Sequence, residues 1–241
     1  MQDLSNFSAT ELTAAVRAVS DYDFDHPRTK LVELERLINA TRGNRPARTE
    51  IEKAMAELLG SQATVAAKQF VCKKLWIIGS DLSVPALTAL LQGQDPVLAE
   101  AACYALRSQE SSVAAASMRK ALDPTRGVAR VAIINLLGDK QDAASTSQLI
   151  ALAASADALA SDAAIAALGK IASHESVAAL TKMHRASDPA RRLNCSHALL
   201  QAGQQLAKRG DLTAARAIWN QLNKDSEPIQ IRRGASLALR G

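Results

Sequence analysis

A short phrase returns along this 241-residue chain at intervals of about thirty residues. Leu75-Trp76-Ile77-Ile78-Gly79 is answered by Tyr104-Ala105-Leu106-Arg107-Ser108, Ile134-Asn135-Leu136-Leu137-Gly138, Ala166-Ala167-Leu168-Gly169 and Leu237-Ala238-Leu239-Arg240-Gly241. A fixed period of this length marks stacked helical units, because one unit cannot bury its apolar face alone and must rest on the next. Composition points the same way. Apolar residues make up 48% of the chain but aromatics only 3%, and the abundant Ala and Leu are strong helix formers that let helices approach closely. The fold class expected is all-α, an α-solenoid.

The first sixty residues differ from the rest. Ser8 to Ser20 opens with a Ser/Thr cap signal and carries Leu12, Ala15, Val16 and Val19 at helical spacing. Asp21-Tyr22-Asp23-Phe24-Asp25-His26-Pro27 breaks that helix, since proline disfavours helix at the residue before it. Helices over Thr29–Thr41 and Ala47–Leu59 follow, each with one apolar face and one polar face, as suits the end of a stack. Residues 1–60 therefore read as an N-terminal helical cap and 61–241 as the array. Within the array the second helix of each pair is expected at Val84–Gln92, Val113–Leu122, Ala143–Ala153, Ser176–Ala186 and Thr213–Asn223. Gly79, Gly138 and Gly169 are expected to end first helices in the left-handed region.

The joints between pairs repeat as well. Asp95-Pro96, Asp123-Pro124 and Asp188-Pro189 each stand before a first helix, with Asp placed to cap and Pro where its missing N–H is harmless. Arg126 and Arg130, Arg191 and Arg192, and Arg232 and Arg233 follow early in those helices. With these features the chain resembles the HEAT-repeat family over about residues 63–241, with Asp157-Ala158 lacking the Pro. The resemblance implies a right-handed α-solenoid of about five and a half HEAT-like helix pairs, with the turn Asp and Arg bonded as a structural ladder. The fifth unit has a longer first helix, and its Gly210-Asp211 turn precedes Leu212, Ala215 and Trp219, so it is similar to a tetratricopeptide unit. The array stops after the sixth first helix, Pro228–Arg240, which predicts a piece of a longer protein.

Catalytic signatures are missing from the sequence. His26, His174, His184 and His197 form no His-Glu-x-x-His pattern, and surface or capping roles are expected of them. No phosphate-binding loop or nucleophile elbow occurs. Cys72, Cys103 and Cys195 have neither paired nor metal-ligand spacing and read as small buried hydrophobes. No catalytic residue, metal ligand or cofactor is implied. Without a signal peptide or a membrane-length apolar run, a cytoplasmic location is expected.

Charge supplies the one lead to a partner. Residues 182–241 hold 11 Lys/Arg against 4 Asp/Glu, whereas residues 1–60 hold 8 against 10. The expected role is a non-enzymatic protein-binding scaffold that meets an acidic partner on the face formed by second helices. Arg119, Lys182, Arg185, Arg216 and Lys224 are the residues expected to carry it. A nucleic-acid-binding groove on the same C-terminal face is the alternative, opposed by the scarcity of rings for base stacking. Of the two tryptophans, Trp76 stands among Leu75, Ile77 and Ile78 and is expected in the core.

Overall fold

The structure is a computed structural model that describes residues 8–186 and 188–240. Gly241, which closes the last copy of the recurring phrase, lies outside the described residues. Among the described residues the chain is all-helical, with fourteen α-helices, one 3₁₀ turn and no strand. The helices belong to two compact units, Met1–Thr125 and Arg126–Gly241.

The first unit contains α1 (Ala9–Arg17), α2 (Thr29–Ala40), α3 (Arg45–Gly60), α4 (Val65–Ile78), α5 (Val84–Gln92), α6 (Pro96–Arg107) and α7 (Ser112–Leu122). Local chemistry starts most of them. Ser8 and Glu11 form a reciprocal capping box on α1, and Asn44, Thr64, Asp95 and Ser111 each accept a first-turn N–H with a side-chain oxygen. Helix α3 lies against α1, α4 and α5, while α4 rests on α6 and α5 on α6 and α7. Leu34, Ile51, Met55, Leu59, Leu75, Leu87 and Leu91 fill the space between them, each contributing about 1.5–3 kcal/mol of apolar burial. One carboxylate shares that interior. Glu52 of α3 accepts from the Ser80 N–H at 2.5 Å, the Ser83 N–H at 3.2 Å and the Ser80 hydroxyl at 2.8 Å, so it serves amides just ahead of α5 that no helical carbonyl can reach.

The second unit contains α8 (Gly127–Asp139), α9 (Thr146–Ala153) behind the 3₁₀ turn Ala143–Ser145, α10 (Ala158–Ile171), α11 (His174–Ala186), α12 (Pro189–Lys208), α13 (Leu212–Leu222) and α14 (Ile229–Arg240). Helix α10 lies between α8 and α12, and α12 in turn meets α14. Helix α9 meets α10, α11 meets α10 and α12, and α13 meets α12 and α14. Arginines tie the turns. Arg130 approaches Asp157 at 3.8 Å. Arg191 donates to Ser161 Oγ at 2.8 Å and to the Ala153 carbonyl, and Arg209 donates to the Ile171 carbonyl at 2.8 Å. Each guanidinium thus serves a neighbouring turn, and Arg191 and Arg209 take up carbonyls that a helix end leaves without a partner.

The glycines of the recurring phrase do a different job from the one expected. Gly79 is extended, Gly138 and Gly169 lie inside helices, and none is left-handed. What they lack matters instead. A Cβ on Gly138 would stand 2.8 Å from Ala167 Cβ, and one on Gly169 would stand 2.6 Å from the Ala198 carbonyl oxygen. These glycines allow α8, α10 and α12 to touch backbone to backbone. The left-handed cap of α10 falls to Ala172, with φ 49°.

Asp123-Pro124 also departs from expectation. Asp123 closes α7 and the next helix starts only at Gly127, whose φ of 59° suits glycine. The Asp-Pro caps at Asp95 and Asp188 form as expected. Two of the three thiols are buried and the third, Cys103, is half-exposed. Burial pushes Cys72 up to about 12 and Cys195 up to about 11, so both remain protonated, unreactive thiols at pH 8. An aromatic disulfide reagent at pH 8 is expected to leave Cys72 and Cys195 unmodified in the folded chain. Peptide mapping that finds either labelled at the rate of a free thiol would show the burial to be wrong.

Candidate functional site

Helix α4 carries four consecutive apolar residues, Leu75 to Ile78, at its C-terminal end. Successive helical residues are about 100° apart, so such a run cannot all face one core. Leu75 and Ile78 point inward, whereas Trp76 is 43% and Ile77 65% exposed. Trp76 is therefore a surface residue and not the core residue its neighbours suggested. Tyr104 of α6 meets it there, 46% exposed, with ring centroids 5.5 Å apart and planes inclined by 27°.

The stacked pair forms one wall of an open groove of about 590 Å³ between α4 and α6. Ile77 and Val97 extend its apolar floor, and Lys73 and Glu100 stand at its polar edge. Lys74 is less available, because its ammonium lies 2.5 Å from Glu35 Oε1 and 4.8 Å from the centre of the Phe70 ring. An apolar floor with large rings and a charged rim is the anatomy of a protein contact. Spacing made the direction of Trp76 recoverable, since only two of four consecutive residues fit an inward stripe. The partnership with Tyr104 was not recoverable, as it depends on how α4 crosses α6.

The five basic residues expected at a binding face fall on different elements of the two units. Arg119 belongs to the first unit, half-buried on α7 and already engaged by neighbouring groups. Lys182 and Arg185 are exposed one turn apart on α11, and Arg216 is exposed on α13. Lys224 is exposed in the loop after α13, which ends at Leu222, and so is not a second-helix residue. The only Phe, Tyr or Trp among the described residues of the second unit, Trp219, is buried.

His184, expected on the surface, is buried in a polar cluster. Its Nε2 lies 2.9 Å from Glu227 Oε1, close enough for an ion pair though out of line for a hydrogen bond. Ser196 of α12 donates to Glu227 Oε2 at 2.7 Å, and Arg192 approaches Oε1 at 3.6 Å. Glutamate sits between serine and histidine, so the hydroxyl faces a carboxylate and not the imidazole, and Ser196 is wholly buried. This order differs from the serine–histidine–carboxylate relay, in which the imidazole faces the hydroxyl. The cluster fastens the loop before α14 onto α11 and α12. Sequence offered no signal for it, because Glu227 lies 31 residues from Ser196 and 43 from His184.

No group of three or more His, Cys, Asp or Glu side chains among the described residues could hold a metal ion. Among the same residues no helix is long and apolar enough to cross a membrane. No protein-family model and no curated protein matches the chain.

Proposed function

We propose that the chain is a non-enzymatic protein-binding module, an α-solenoid of HEAT-like helix pairs whose working surface is the groove between α4 and α6. The observation that carries this reading is the half-exposed stack of Trp76 on Tyr104. Large rings held in solvent forgo a burial that folding would favour, and paired rings of this kind are the residues that dominate binding energy in protein interfaces. The successive contacts of α8, α10, α12 and α14 support the stacked arrangement, in which a curved surface would serve a partner.

Nucleic-acid binding by the basic C-terminal unit is the weaker reading. Its exposed cations Lys182, Arg185 and Arg216 could meet phosphates. Base stacking is strongest on large rings, and Trp219 is internal, which leaves the imidazoles of His174 and His197 as that unit's exposed rings among the described residues.

The test compares affinity capture by the wild-type chain and by Trp76→Ala/Tyr104→Ala, with and without nuclease, after circular dichroism shows equal folding. Discrete proteins that survive nuclease and fall about 30-fold with the double substitution are expected, the loss following from ~2 kcal/mol for truncating a central aromatic. Recovery indifferent to the two rings would remove this groove as the binding surface.

A further inference from the structure

A second pocket opens beside the first, between α2 and α4, and it has a different character. It holds about 350 Å³, and Arg42, Arg48, Glu35 and Ile38 line it together with Lys74 and Ile77. Lys74 and Ile77 also line the α4–α6 groove, so the two depressions flank the same stretch of α4.

The charges in this pocket are unevenly satisfied. Glu35 is taken by Lys74 at 2.5 Å, with Arg28 at 3.9 Å on its other side. Arg42, just beyond the end of α2, and Arg48, half-buried on α3, have no side-chain partner among the described residues. Burial and the neighbouring charge of Arg42 hold the Arg48 guanidinium below its ordinary range, as expected of two cations placed together without an anion. Each offers a planar fork of donors suited to a carboxylate.

Resting on the protein-binding reading, we infer that the partner is an acidic peptide segment that lays an aliphatic or aromatic side chain on the Trp76–Tyr104 shelf and sets an Asp or Glu carboxylate between Arg42 and Arg48. A ligand that fills both depressions is apolar at one end and anionic at the other, because Trp76, Tyr104 and Val97 line the first and Arg42 and Arg48 the second. Charge separates this occupant from a polyanion. Residues 1–125 contain 14 Lys/Arg against 15 Asp/Glu, so the unit has no long-range field to draw a nucleic acid, and Glu100 on the groove's edge would repel a phosphate chain. A short-range site of two arginines recognises one carboxylate.

The experiment is selection of a random 12-residue peptide library displayed on phage against the 241-residue chain, followed by affinity measurements on the enriched peptides. Enrichment of Asp or Glu beside Trp, Phe or Leu is expected. Such peptides should lose at least tenfold in affinity on Arg42→Gln/Arg48→Gln and bind wild type more weakly when their acids become Asn or Gln. Circular dichroism checks that the variant is folded, and Arg48→Lys, which keeps charge and volume, should retain part of the affinity. Peptides that need Trp76 but show no acid preference would overturn this inference while leaving the shelf as a binding surface. Peptides that ignore Trp76 and Tyr104, or no enrichment at all, would remove the protein-binding reading itself. Displacement of the peptides by a 20-nucleotide single strand with steep salt dependence would overturn the inference in favour of nucleic acid.

Discussion

Replacing Glu227 with alanine should lower the melting temperature of the second unit by roughly 10 °C, equivalent to ~3 kcal/mol for a domain of this size. Its side chain is 2% exposed and faces His184, also buried at 5%, and the Ser196 hydroxyl. Truncation would leave the serine donor inside the protein without its acceptor and the imidazole without the carboxylate beside it, and unmet buried polar groups cost more than the net worth of the bonds they lose. Glu227→Gln should cost less, because an amide oxygen still accepts from Ser196. Thermal denaturation followed by circular dichroism checks both. A loss below about 0.5 kcal/mol for alanine would mean that the loop before α14 is not held through this carboxylate.

Gly169→Val should destabilise the chain by ~3 kcal/mol, and Gly169→Ala by about 1 kcal/mol, although alanine is the better helix former. The atoms a new side chain would meet are the Ala198 carbonyl oxygen at 2.6 Å and Cα at 2.9 Å. Both are backbone, so relief requires α10 and α12 to separate. Gly60, the last residue of α3, is the internal comparison, since a Cβ there meets nothing within 4 Å. Gly60→Ala is accordingly expected to stabilise by up to ~0.5 kcal/mol. Urea denaturation of the three variants gives the measurement, and equal signs at positions 60 and 169 would contradict the close approach of α10 and α12.

Helix positions were legible in the sequence because caps and apolar spacing are local. Helix α5 spans Val84–Gln92 as expected, and Asp95 and Asp188 cap where their Asp-Pro pairs stand. Features set by the crossing of helices were not legible. A glycine near a helix end looks the same in sequence whether it frees a backbone angle or admits a neighbour, and Gly138 and Gly169 prove to admit neighbours. Asp123-Pro124 looks like the other joints, yet Thr125 and Arg126 follow before Gly127 opens α8. The basic excess in residues 182–241 lies at the other end of the chain from the candidate groove. Within that groove, Trp76 has apolar sequence neighbours like those of a core residue, and Tyr104, Arg42 and Arg48 come together with it only through the packing of α2, α3, α4 and α6.

The contacts of Gly138 with Ala167 and of Gly169 with Ala198 also restrict how this protein can change over generations. Neither glycine can be exchanged in compensation with its opposite number, because alanine can shrink only to glycine and part of the obstruction is main chain. Insertion of one residue inside α10 would rotate everything beyond it by about 100° and take Gly169 off the face that meets α12. Lineages descending from this sequence are thus expected to accumulate length differences between helices and to keep the interior of α10 at constant length.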